Sequence, residues 1–162
     1  MPPARGRPIL IEFQKTIVDE AGEAAHAATF LRERRIVLET GLRRSRREFS
    51  RILVHELFHF VWLRLGNTKR RRYEDLLAAE IRKGARGELG WSAEWRKQRL
   101  HARDRIRRTR RWREYCCESF CDTAAWLYAG IGGHDEFTLA RRFRSARRRW
   151  FGRTGIHQGI SI

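Results

Sequence analysis

The chain is short and strongly basic. Its 162 residues include 36 Lys or Arg and 19 Asp or Glu, which gives a formal net charge of +17. This length suits one domain, and no apolar run approaches the roughly 20 residues that a membrane span needs, so we expect a cytoplasmic α+β domain that is mostly helical. The charge favours nucleic acid or acidic proteins as partners, although an arginine-biased, solvated surface would also produce it.

The first elements are predicted from local patterns. Residues 1–7 are expected to form a flexible basic tail. Pro8 begins a segment in which apolar residues, from Leu10 to Leu31, recur at helical spacing, which predicts a helix. The segment 35–39 is short, β-branched and followed by a turn-forming Thr-Gly pair, which predicts a strand.

The next predicted helix, over about residues 48–65, carries the most informative motif. It contains His55-Glu56-Leu57-Phe58-His59 inside a largely apolar stretch. Residues four apart share a helix face, so His55 and His59 can bind one metal ion. Glu56 would then lie beside the open metal position, where it can accept a proton from bound water. Two core histidines with backbone or carboxylate partners are the alternative.

A basic helical insertion is predicted over residues 67–108. Ten of the residues from Trp95 to Arg113 are Lys or Arg. On one continuous helix, several of these would form a stripe suited to nucleic-acid phosphates: Arg99, Arg103 and Arg107, continued by Arg110 or Arg111. Four tryptophans lie among the charges and could stack on bases, with core packing as their alternative role: Trp91, Trp95, Trp112 and Trp150.

A second helix with metal-ligand chemistry is predicted over about residues 111–129. A catalytic metal site needs a third protein ligand, with the fourth position left for water. On this helix, Glu118 and Asp122 are four residues apart and share a face with Cys121. The three cysteines of the helix are poorly spaced for disulfides, which predicts free thiols. A last amphipathic helix is predicted over residues 137–151.

These two motifs, His-Glu-x-x-His and Glu-x-x-x-Asp, resemble those of the gluzincins, the thermolysin-like metalloproteases. The resemblance is closest to the small bacterial groups, the minigluzincins and the ImmA/IrrE-like proteins, and it covers the two motif-bearing helices. It implies a single zincin-like domain over residues 1–162, one Zn²⁺ ion and hydrolysis of peptide bonds in a protein or peptide substrate. It further implies that Glu118 is the third zinc ligand and that Asp122 orients His55.

The resemblance also implies a place for the substrate. In gluzincins, a strand edge beside the metal binds extended peptide through main-chain hydrogen bonds. The predicted strand residues Ile36, Val37 and Leu38 would provide this edge, unless they only pack against the first helix.

Several roles stay open at this point. His134 lies in a Gly-Gly-His-Asp-Glu-Phe segment that faintly resembles the histidine-ligand element of SprT-like proteases, and Glu114 lies one turn before Glu118. A Cys117 or Cys121 ligand would resemble peptide deformylase. The oxyanion of hydrolysis needs a donor, for which several arginines and three other residues are available: Tyr115, Tyr128 and His134.

Two functions follow from these patterns. The first is a zinc metalloprotease with Glu56 as general base, acting on nucleic-acid-bound or acidic proteins. The second is a basic nucleic-acid- or protein-binding module with a non-catalytic zincin core. Glu56 favours the enzyme, since a purely structural metal site has no use for a base beside the metal.

Overall fold

A computed structural model describes residues 1–18, 22 and 24–162 of the chain. The strands are β1 (Ala4–Arg5), β2 (Leu10–Gln14), β3 (Ile17–Val18), β4 (Ala24–Ala25), β5 (Ala27–Phe30), β6 (Arg35–Glu39) and β7 (Ile160–Ser161). The α-helices are α1 (Arg46–Arg64), α2 (Asn67–Arg82), α3 (Trp91–Gln98), α4 (Ala102–Arg107), α5 (Arg110–Tyr128) and α6 (Arg141–Arg153). Short 3₁₀ turns span Thr40–Arg44 and Ile156–Gln158. The mostly helical α+β class is therefore confirmed.

The helix predicted from Pro8 to Leu31 is wrong, because this segment forms strands β2 to β5. Five residues of β2 pair in parallel with β6, and β5 pairs antiparallel with β6. The apolar spacing fitted a helix only with small alanines counted as core, whereas most of the larger apolar residues of the segment are β-branched or aromatic and favour strands. One of those alanines, Ala21, lies outside the described residues.

The strand predicted at residues 35–39 is confirmed as β6, but it is the middle strand of a three-stranded sheet with the order β2-β6-β5. Ile36, Val37 and Leu38 are buried, and the main chain of β6 pairs with a neighbour on both sides. The prediction that these three residues form a substrate-binding edge is therefore wrong. The outer strands of this sheet are β2 and β5.

Helix α1 lies between the sheet and α5. Its Phe58 and Val61 belong to the main core with residues of α5, while Leu57 and Phe60 pack with the sheet residues. This burial on both sides explains why the helix is apolar almost all round. At its start, the Ser45 hydroxyl accepts a hydrogen bond from the main-chain N–H of Glu48 at 3.3 Å, a normal N-cap.

The predicted basic insertion is helical but broken. Helix α3 ends at Gln98, α4 covers Ala102–Arg107, and α5 begins at Arg110. Arg108 ends α4 with a left-handed φ of 49°. The arginine stripe predicted on one helix is therefore wrong, because its members are divided among the end of α3, α4 and the first turn of α5: Arg99, Arg103, Arg107, Arg110 and Arg111.

The chain termini meet. The segment expected to be a flexible tail contains β1, which pairs in parallel with β7 near the other end of the chain. The last predicted helix begins later than expected, at Arg141, since Phe137 lies before it in a small apolar cluster with Leu89 and Phe143. Among the described residues, no helix is both long enough and apolar enough to cross a membrane.

A buried ionic cluster fixes the loop that leads into α3. The guanidinium of Arg147 on α6 lies 2.8 Å from a Glu80 carboxylate oxygen and 2.6 Å from one of Glu88. The Tyr115 hydroxyl donates to Glu88 at 2.6 Å. The main-chain oxygen of Glu88 also accepts from the N–H groups of residues 138 and 139. The loop before α3 is thus held from several sides, which positions α3 against α5.

Candidate metal centre

The orientation of His55 is set by a buried carboxylate. His55 lies on α1 facing α5, and its Nδ1 is 2.7 Å from Oδ1 of Asp122. Because a carboxylate accepts, Nδ1 carries the proton and Nε2 is left as the ligand atom. Burial alone would lower the pKa of His55, but the charge and hydrogen bond of Asp122 raise it well above its usual range in the metal-free protein.

Asp122 also joins the centre to α3. Its second oxygen, Oδ2, accepts from the main-chain N–H of Ala93 at 3.1 Å, in the first turn of α3. A helix N-terminus favours a negative charge at this position. Gly90 precedes α3 and packs so closely that a Cβ there would collide with the Asp122 carboxylate. Glycine fits at this position because it has no Cβ atom.

Glu118 lies on the metal-facing side of His55. Its Oε2 is 3.3 Å from Nε2 of His55 and accepts from the Ser92 hydroxyl at 2.7 Å. The Arg96 guanidinium lies 3.6 Å from its other oxygen. Burial opposes ionisation, but the hydrogen bond with His55 and the neighbouring histidine charges hold the pKa of Glu118 well below its usual range. The side chain is therefore an ionised carboxylate, which is the form that binds metal.

His59 has a sulfur atom on one side and a carboxylate on the other. Its Nδ1 is 3.5 Å from Sγ of Cys117, and its Nε2 is 4.0 Å from Oε2 of Glu56. Burial lowers the pKa of His59, but the charges of Cys117, Glu118 and Glu56 outweigh it and raise the pKa to about 9. A hydrogen bond from Cys121, opposed by burial, lowers the pKa of Cys117 to about 6.

Glu56 is tied to the sheet by a residue that the sequence patterns did not identify. The Thr29 hydroxyl on β5 donates to Oε2 of Glu56 at 2.6 Å. Glu56 itself is nearly buried. No sequence signal points to Thr29, because its segment has helical apolar spacing and a threonine carries no motif of its own. Ser92 and Arg96, which contact Glu118, lack a motif in the same way.

The described residues contain one group of side chains with metal-binding geometry. One donor atom each from His55, His59 and Cys121 lies within 4.8 Å of the others. The three cysteines of α5 are free thiols, as predicted. Imidazole, thiolate and carboxylate donors together suit Zn²⁺ and similar divalent transition metals. This group can therefore hold a metal ion with Cys121 as its third donor. Glu118, the third ligand that the resemblance implied, is not a member of the group, although its Oε2 lies 3.3 Å from Nε2 of His55.

The other predicted ligands lie elsewhere. Nε2 of His134 is 2.8 Å from Glu48, two turns before His55 on α1, and its Nδ1 accepts from the N–H of Glu136. Glu114 is paired with Arg110 on the surface at 2.5 Å. Both side chains are satisfied by local partners, and neither is a member of the metal-binding group.

The two tyrosines considered as oxyanion donors are also used elsewhere. The Tyr115 hydroxyl donates to Glu88 in the buried ionic cluster. The Tyr128 ring stacks on Phe58 with 5.6 Å between centroids. Packing therefore accounts for both residues. Among the arginines, Arg96 reaches the centre through Glu118.

Comparison with protein-family models, curated proteins and solved structures found no match to this chain. The function of the centre must therefore be argued from the arrangement of its own residues.

Proposed function

We propose that the protein is a zinc-dependent peptidase with Glu56 as general base. The observation that carries the proposal is the position of Glu56: its carboxylate lies 4.0 Å from Nε2 of His59, within the same buried centre as His55 and Glu118. A structural metal site needs no such group, whereas hydrolysis needs a base beside a metal-bound water.

Glu118 is the third ligand in this proposal. The more compact donor set pairs the histidines with Cys121, but burial raises the pKa of the Cys121 thiol well above its usual range. Metal binds the thiolate, so Cys121 would have to lose its proton on binding. Glu118 is ionised, and it lies at the Nε2 atom that Asp122 leaves free on His55.

Glu56 carries out both proton transfers of the proposed reaction. A bound zinc ion would lower the pKa of its water and polarise the peptide carbonyl. Glu56 accepts the proton as the water oxygen bonds to the carbonyl carbon. It then gives that proton to the leaving amine when the C–N bond breaks. The Thr29 hydroxyl donates to Oε2 of Glu56 and fixes the carboxylate in place throughout.

The substrate edge in this proposal is β5 rather than β6. β5 is an outer strand of the three-stranded sheet, and its Thr29 contacts the general base. An extended peptide that pairs with β5 would bring its main chain alongside Glu56. Arg96, 3.6 Å from Glu118, is the donor that we assign to the oxyanion of the reaction.

A metal analysis combined with a protease assay tests the proposal. Wild type and Glu56→Gln should both contain about one zinc ion per chain, and only wild type should cleave an unstructured protein such as casein. Glu114→Gln is the matched control, because Glu114 lies on the surface with Arg110; it should keep full activity. Equal cleavage by wild type and Glu56→Gln would contradict the proposal that Glu56 is the general base of a peptidase. Bound zinc without cleavage in wild type would favour the non-catalytic binding module.

A further inference from the structure

Helix α3 presents two exposed tryptophans. Trp91 is 64% exposed and Trp95 is 38% exposed, and their ring centroids are 6.1 Å apart at an interplanar angle of 30°. They lie four residues apart and therefore share one face of the helix. Large aromatic side chains are costly to leave in water and are enriched at binding surfaces. This pair is an exposed aromatic surface next to the metal centre, since Ser92 between them contacts Glu118.

Two arginine side chains lie near the Trp95 ring of this pair. The Arg99 guanidinium lies 3.6 Å from the centroid of the Trp95 ring, and that of Arg96 lies 5.4 Å from it. Among the described residues, no carboxylate lies within ion-pair distance of Arg99, whose guanidinium donates a hydrogen bond to the main-chain oxygen of Trp95. Positive charge and aromatic faces are thus presented together.

Further exposed arginines lie on the helices that follow α3. A minority of the chain's Lys and Arg side chains form ion pairs with carboxylates of the described residues. Arg103 and Arg107 on α4 and Arg111 on α5 are exposed. With a net charge of +17, the ligand that complements this surface is a polyanion.

We propose that the surface formed by Trp91, Trp95 and Arg99, which we call the α3 surface, binds single-stranded nucleic acid. Unpaired bases stack on exposed aromatic rings while phosphates contact arginines, and this combination is typical of single-strand binding. A duplex keeps its bases stacked inside, and an acidic peptide offers charge without planar faces. The proposal goes beyond peptide hydrolysis and does not depend on it.

A fluorescence-anisotropy titration of the intact protein with a labelled 20-nucleotide oligo-dT tests the proposal. Trp91→Ala combined with Trp95→Ala should weaken binding at least about tenfold. Arg99→Gln should weaken it and reduce the slope of log affinity against log salt by about one. Arg82→Gln, which removes an exposed charge at the end of α2, is the matched control and should change affinity less than about twofold. Phe at both tryptophan positions should restore most of the binding, and circular dichroism establishes that each variant is folded.

Three results would overturn the proposal. The first is an unchanged affinity in the double alanine variant. The second is equal affinity for a 20-base-pair duplex, and the third is equal affinity for a poly-glutamate peptide of the same charge. Glu56→Gln should bind the oligonucleotide like wild type, so loss of hydrolysis and loss of nucleic-acid binding are separate outcomes.

Discussion

Asp122 Oδ1 lies 2.7 Å from Nδ1 of His55, and both side chains are buried. This contact fixes the ring and its tautomer before any metal arrives. Asp122→Asn keeps the size but loses the charge, and we expect metal affinity to fall by about 10- to 100-fold. A chelator-competition titration measures this. Asp75→Asn, at an exposed surface ion pair, should bind metal normally; equal affinities in the two variants would contradict the orienting role.

The third ligand can be identified by paired substitutions. Glu118→Gln should lower metal affinity by more than about 100-fold, since it removes a ligand rather than a supporting contact. Cys121→Ser should change it by less than about threefold, because the proposal assigns the third ligand position to Glu118 and not to the thiol. Replacement of the bound metal by Co²⁺ gives a second readout: wild type should lack intense sulfur-to-cobalt charge-transfer absorption. A strong absorption lost in Cys121→Ser would assign the ligand to the thiolate instead.

Gly90→Ala should destabilise the protein and impair the metal centre together. The added methyl group would meet the Asp122 carboxylate, and overpacking of a buried site costs about 1–3 kcal/mol. Urea unfolding and a zinc titration should both report the damage. Gly132→Ala is the matched control, because a Cβ at Gly132 has open space; its free energy of unfolding should change by less than about 0.5 kcal/mol. A Gly90→Ala variant as stable as that control would contradict the close contact.

Metal uptake should release protons near neutral pH. The pKa of His59 is raised to about 9 in the metal-free protein, so at pH 7 the ring carries a proton that a metal must displace. His55 is shifted in the same direction. Apparent affinity should therefore fall as the pH falls below 9, by about tenfold per pH unit for each proton displaced. Calorimetry in buffers of different ionisation enthalpy counts the protons; an affinity that is independent of pH between 6 and 9 would contradict the shifts.

Sequence patterns predicted the helical half of the centre better than the sheet. His55, Glu56 and His59 could be grouped because helix periodicity is a local property, and the predicted helices differ from α1 and α5 by at most two residues at either end. The meeting of Asp122 with His55 required a resemblance between motifs, since no local rule brings two helices together. Thr29 was beyond prediction because pairing between β2, β5 and β6 overrides the local apolar spacing.

The helical structure predicted for the basic insertion is confirmed, but its arginines do not form the predicted stripe on one helix. Its arginines were expected on one helix, but the turns after Gln98 and Arg107 separate them. Its contribution to the metal centre, through Ser92, Ala93 and Arg96, had no signal in the sequence. These contacts depend on how the loop before α3 is anchored by Glu88 and Arg147, which is a tertiary property.

The hydrogen bond from Ala93 to Asp122 has a thermodynamic consequence. It makes the first turn of α3 and the imidazole of His55 share one carboxylate, so a ligand that shifts α3 also changes the affinity for metal. Coupling between two binding equilibria is reciprocal: the factor by which metal alters affinity at the α3 surface must equal the factor by which an occupant of that surface alters affinity for metal.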